Sequence, residues 1–104
     1  MPEPGFAFRH VVMFQWAAAT TAEQRTAAVD ALHSLRESVA HLCSLRVGTD
    51  AGLAPGNYDV VVVADFPRAS DYALYVEDPG HQRVVREYLG PYIASRAAVQ
   101  HPLD

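Results

Sequence analysis

Residues 8–16 are mostly apolar, and with a period of two His10, Val12, Phe14 and Trp16 fall on one face of an extended segment and Val11, Met13 and Gln15 on the other. That period of two predicts a β-strand. The rhythm then changes: Ala28, Leu32, Leu35 and Val39 recur at helical spacing, while Arg25, Arg36 and Glu37 lie off that stripe. Thr20-Thr21-Ala22-Glu23 has the form of a capping box, so a helix is expected over 21–39. Residues 44–50 read as a strand, and 51–57, with two glycines and a proline, as a loop. Residues 58–66 contain four successive valines and form the clearest strand, which Pro67 ends. Two helical stretches follow, over 70–76 and over 79–89, the second stopped by Gly90-Pro91. A weaker strand is expected over 95–101.

The order β-α-β-β-α-β, with the second helical region split, predicts an α+β, ferredoxin-like sandwich. Its antiparallel sheet carries helices on one face only. The domain is expected over 8–104, after a flexible tail over 1–7. This layout raises a physical problem. The third strand is apolar on both sides, with Val60, Val62, Ala64 and Phe66 on one and Val61 and Val63 on the other, and the first strand is similar. The face without helices would expose a contiguous apolar patch, which monomers seldom tolerate. A second copy of the sheet is the simplest cover, so a symmetric homodimer packed sheet to sheet, a dimeric α/β barrel, is expected.

The chain has 104 residues, enough for one domain. Its net charge of −4, with no basic run, argues against nucleic acid as a partner. No apolar run approaches a membrane span. Met1-Pro2-Glu3-Pro4-Gly5 has no basic n-region and leads into no long apolar core, so a cytoplasmic protein without a signal peptide is expected. Cys43 is the only cysteine and reads as a small buried thiol rather than a nucleophile.

Chemistry concentrates in Tyr75-Val76-Glu77-Asp78-Pro79-Gly80-His81. Asp78 reads as an N-cap and Pro79 as the first helical residue. His81 then lies in the first turn, where the helix dipole disfavours imidazolium and leaves a neutral ring able to accept a proton. A phenol beside such a base suits acid–base chemistry on a carbonyl compound. His10 alternates with Val12 and Phe14 and points into the same interior. His33 and His41 read as solvated, and His101 lies near enough to the C-terminus to edge a pocket. No HxH, HExxH or carboxylate-rich cluster is present, and the glycines are isolated, so neither a metal nor any other cofactor is expected.

Arg9-His10-Val11-Val12-Met13-Phe14, Gly48 after the second strand, and Tyr75-x-x-x-Pro79-x-His81 together resemble the stress-responsive dimeric α/β-barrel family, over about residues 8–102. The resemblance implies a homodimer with a pocket between the sheet and helices of each subunit. In a plant polyketide cyclase of that family, the residues matching Tyr75 and His81 carry an intramolecular aldol condensation of a poly-β-ketone. The histidine matching His10 lines the same pocket. The resemblance thus implies His81, Tyr75 and His10 as catalytic residues. Val12, Phe14, Trp16, Leu32, Val62, Ala64 and Tyr92 are the expected pocket residues. The plant enzyme is bulky and aromatic along its first helix, where this chain has Ala28, Val29 and Leu32, which implies a wider cavity for a larger substrate. The expected activity is a cofactor-free cyclase or dehydratase on an aromatic or polyketide-like small molecule. A non-catalytic binding dimer and a cofactor-independent oxygenase are the alternatives.

Overall fold

The first strand predicted lies inside the sheet. In this computed structural model, which describes residues 5–103, β1 (Phe8–Trp16) pairs antiparallel with β3 (Val60–Phe66) on one side and β4 (Ile93–Pro102) on the other. β2 (Ser44–Thr49) pairs with β3, so the order across the sheet is β2-β3-β1-β4. With its helices this is the ferredoxin-like βαββαβ arrangement. Most of the predicted N-terminal tail, residues 1–4, lies outside the described residues. Ala7 already takes part in the sheet's hydrogen bonding, donating to the Phe66 carbonyl and accepting from Leu103 N, both at 2.9 Å.

Register decides which face each residue serves, because partners directly opposite share a face. Val12 lies opposite Val62, and Val62 opposite Val47, while Phe14 lies opposite Val60. These residues meet α1 (Ala22–Ser38), whose Ala28, Leu32 and Leu35 are buried against them. The opposite face carries Val11, Met13, Val61, Val63 and Val99, with Met13 39 % and Val99 57 % exposed. At one end of that face Arg9 grips Asp65 through two bonds of 2.7 and 2.8 Å, and Arg46 adds a third at 3.1 Å.

The capping box forms one residue later than its sequence signature suggests. Thr21 Oγ1 accepts from Gln24 N at 3.1 Å, and Gln24 Oε1 accepts from Thr21 N at 2.9 Å. Both Thr20/Glu23 and Thr21/Gln24 satisfy the motif. Thr20 is taken by another contact, its hydroxyl donating to the Tyr92 carbonyl at 3.0 Å. The second helical region divides into α2 (Asp71–Glu77) and α3 (Pro79–Val84), followed by a turn of π-helix over Val85–Leu89. The sequence predicted unbroken helix to residue 89. Instead Gly90 N bonds back to the Val85 carbonyl at 2.7 Å, a wider turn that sequence periodicity does not announce.

Candidate active site

Three elements bring the chemical residues together. β1 supplies His10, α2 supplies Tyr75, and the start of α3 supplies His81. Asp78 caps α3 by accepting from His81 N at 3.0 Å, with Pro79 at the first helical position. Gly80 allows this start to approach α1 closely. A Cβ there would lie 3.1 Å from the capping Asp78 Oδ2 and 3.5 Å from Ser38 Oγ. The His81 ring then packs on Tyr75, with centroids 4.1 Å apart, and His10 lies 6.2 Å from Tyr75 and 5.1 Å from Tyr72.

These rings line one cavity of about 580 Å³ between the sheet and the helices. Val12, Phe14, Leu32 and Val62 line it too. Ala64, Trp16 and Tyr92 do not. Ala64 is fully buried and lies opposite His10 and Leu45 in the sheet, behind larger side chains. Trp16 is buried at the end of β1, past a register shift and opposite Ile93. Tyr92 is held by its carbonyl, which accepts from Ala17 N and from Thr20, and its ring packs against the core. The wall of small residues forms only in part: Leu32 and Leu35 line the cavity, Ala28 is fully buried, and Val29 packs against the core.

His101 pairs with Arg9 on the opposite face of the sheet, away from the cavity, and His33 and His41 are exposed. Sequence reasoning missed Tyr72, Leu35, Val84, Leu89 and Arg96, all on the cavity wall. Tyr72 had a legible signal, since it precedes Tyr75 by three residues and shares its helix face. Arg96 had none, because its side of β4 depends on the register with β1.

Burial sets the protonation states. It is the largest cause lowering the pKa of His10 to about 4, with Arg96 and His81 adding to it. The Gln100 amide nitrogen donates to His10 Nδ1 at 2.8 Å, which leaves the ring proton on Nε2. Burial also lowers His81, while the Val76 carbonyl and the Asp78 carboxylate oppose the shift. His81 Nδ1 is buried and has no hydrogen-bond partner in good geometry among the described residues. Burial raises the Tyr75 phenol, so it stays protonated and can donate. Cys43 is pushed up to about 12 by burial first, which rules out a thiolate at neutral pH. Among the described residues no three His, Cys, Asp or Glu side chains converge as a metal set would need.

The arrangement is a neutral base against a neutral phenol donor in an apolar chamber, with a second neutral imidazole fixed nearby. It can take a proton from an acidic carbon or hydroxyl and steady the oxyanion that forms.

The sequence matches the model of the stress responsive A/B barrel domain over residues 8–102. No curated protein is similar enough in sequence to match. Solved structures are. A dimeric ferredoxin-like protein of unknown function from Thermobifida fusca YX is 33 % identical, with 99 % of this chain and 96 % of that one covered and a TM-score of 0.86. A Dabb-family protein with a ferredoxin-like fold from Mesorhizobium loti is 17 % identical, with 95 % and 99 % covered and a TM-score of 0.77. The hydroxynitrile lyase of Passiflora edulis is 15 % identical, with 97 % and 96 % covered and a TM-score of 0.79. The last two likenesses are of fold alone.

Proposed function

Since the chain belongs to the stress-responsive A/B barrel family, we propose that it is a homodimeric, cofactor-free cyclase or dehydratase acting on a polyketide-like or phenolic intermediate. One observation carries the reading. Tyr75 and His81 lie ring against ring at 4.1 Å in an apolar cavity, where burial favours the neutral imidazole. A neutral imidazole beside a protonated phenol sets a proton acceptor next to a proton donor. The residue types and spacing are those that the chain shares with plant olivetolic acid cyclase, which supports the same roles here.

In an aldol cyclisation, neutral His81 takes a proton from a carbon between two carbonyls. That carbon attacks a carbonyl further along the same chain. Tyr75 donates to the oxygen as it gains charge. The His81 imidazolium returns its proton to that oxygen, and elimination of the resulting hydroxyl together with the remaining hydrogen of the attacking carbon releases water and leaves a carbon–carbon double bond in the ring. His10, fixed by Gln100, orients the substrate. Val12, Leu32 and Val62 hold the flexible chain folded, which brings the reacting carbons together.

The outer sheet face, with Val11, Met13, Val61 and Val63, supports assembly as a symmetric homodimer, and the Thermobifida fusca relative is described as dimeric. The test is a screen of poly-β-ketone and phenolic mimics by product mass, in EDTA and without added flavin, haem or nicotinamide. The reading predicts isomeric products or products lighter by one water. A gain of oxygen mass points to an oxygenase, and binding without turnover points to a sequestering protein. Either result defeats the proposal.

A further inference from the structure

Among the described residues, Arg96 is the only permanently charged side chain on the cavity wall. It lies opposite Phe14 in the register of β4 with β1, hence on the sheet face turned toward the cavity. A register shift falls between Gln15 and Trp16, and residues Ile93 to Arg96 border the cavity, with the Ser95 hydroxyl turned to Gln15 on the other face and Arg96 opposite Phe14.

Among the described residues no aspartate or glutamate lines the cavity, and Arg96, like Arg25 and Arg36, makes no ion pair. Arg9, Arg46, Arg68, Arg83 and Arg86 each reach a carboxylate. Acids outnumber arginines in this chain, 12 to 8, so the lack of a partner does not reflect a shortage of carboxylates. A guanidinium presents a planar fork that fits a carboxylate with two hydrogen bonds. Arg96 is itself exposed on the edge strand β4, so water and salt screen that pairing in part.

We infer that the cavity selects an organic anion, whose carboxylate Arg96 holds at the β4 edge while its apolar body lies on Val12, Leu32 and Leu35. The inference rests on the reading of this cavity as the reaction site and adds the substrate's charge. It places the acid group at the wall formed by β4 and the reacting carbon at the Tyr75–His81 pair.

Calorimetric titration of the intact protein with para-pentylbenzoate and its uncharged counterpart para-pentylbenzamide tests it. The benzoate should bind about threefold to tenfold more tightly than the amide, the upper range for an exposed ion pair of bidentate geometry. Arg96→Gln should remove that preference and leave amide binding unchanged, which also shows that the cavity is intact. Arg96→Lys should keep part of the preference, and added salt should weaken the benzoate alone. Equal binding of acid and amide, absence of benzoate binding, a preference that survives Arg96→Gln, or loss of both ligands in that variant overturns the inference. Turnover does not enter this measurement. A protein that prefers the acid but converts nothing upholds the inference and defeats the catalytic reading, and one that cyclises neutral poly-β-ketones without an acid preference does the reverse.

Discussion

Single residues carry the chemistry, and the protein holds them by burial. His10 is 4 % exposed, and burial, its largest influence, keeps it neutral with a pKa of about 4 against an ordinary 6.5. The sign follows from the unfolded chain. As pH falls below 6.5, unfolded His10 takes a proton that the folded protein refuses, so stability declines until the folded ring also titrates near 4. His81 shifts in the same direction. Asp65, held charged chiefly by its hydrogen bond from Arg9, loses its contribution only below its ordinary 3.8. The urea midpoint should therefore fall between pH about 7 and about 5, and His10→Asn should reduce the fall. An unchanged midpoint across that window would show that the rings are solvated. At this scale the helix start was legible, because Asp78, Pro79 and His81 are fixed by local rules alone. Tyr72 and Arg96 were less so, since one needs its helix face and the other its sheet register.

Elements translate those rules into position, and they err by small slips. The two overlapping capping boxes at Thr20 and Thr21 are equivalent in sequence. The Tyr92 carbonyl breaks the tie by engaging Thr20. Thr21→Ala should then cost about 1 kcal/mol of stability, the usual value of an N-cap, read from urea unfolding. Glu23→Ala should cost little, and the opposite ranking of the two variants would return the cap to Thr20. The π-turn over Val85–Leu89 shows a different limit. Apolar spacing at helical period does not distinguish a bond reaching four residues back from one reaching five. That turn puts Val85, Leu89 and Gly90 on the cavity wall.

At the scale of the whole molecule, strand patterning predicted more than one chain can satisfy. β3 is apolar on both faces, and the helices cover one of them. The fold was legible because alternation, caps and breakers all agree on βαββαβ. The cavity was legible only in part, because its walls come from register pairs far apart in sequence. Val61→Asp would bury unpaired charge at the face proposed for the second copy. That variant should be monomeric or aggregated by light scattering at micromolar concentration, where the parent chain should be a dimer. A parent chain that is a soluble, folded monomer there would contradict the proposed assembly.

The central claim is that a neutral His81 and the Tyr75 hydroxyl perform the proton transfers. With a substrate from the product-mass screen, single-turnover rates of the parent, His81→Ala and Tyr75→Phe test it most directly. The account predicts a loss of about a hundredfold to ten-thousandfold without the base. It predicts roughly a hundredfold to a thousandfold without the hydroxyl, since the phenylalanine keeps the ring. Substrate affinity should change little in either variant. Unchanged rates in both would contradict the account and leave the cavity as a template that folds its substrate without moving a proton.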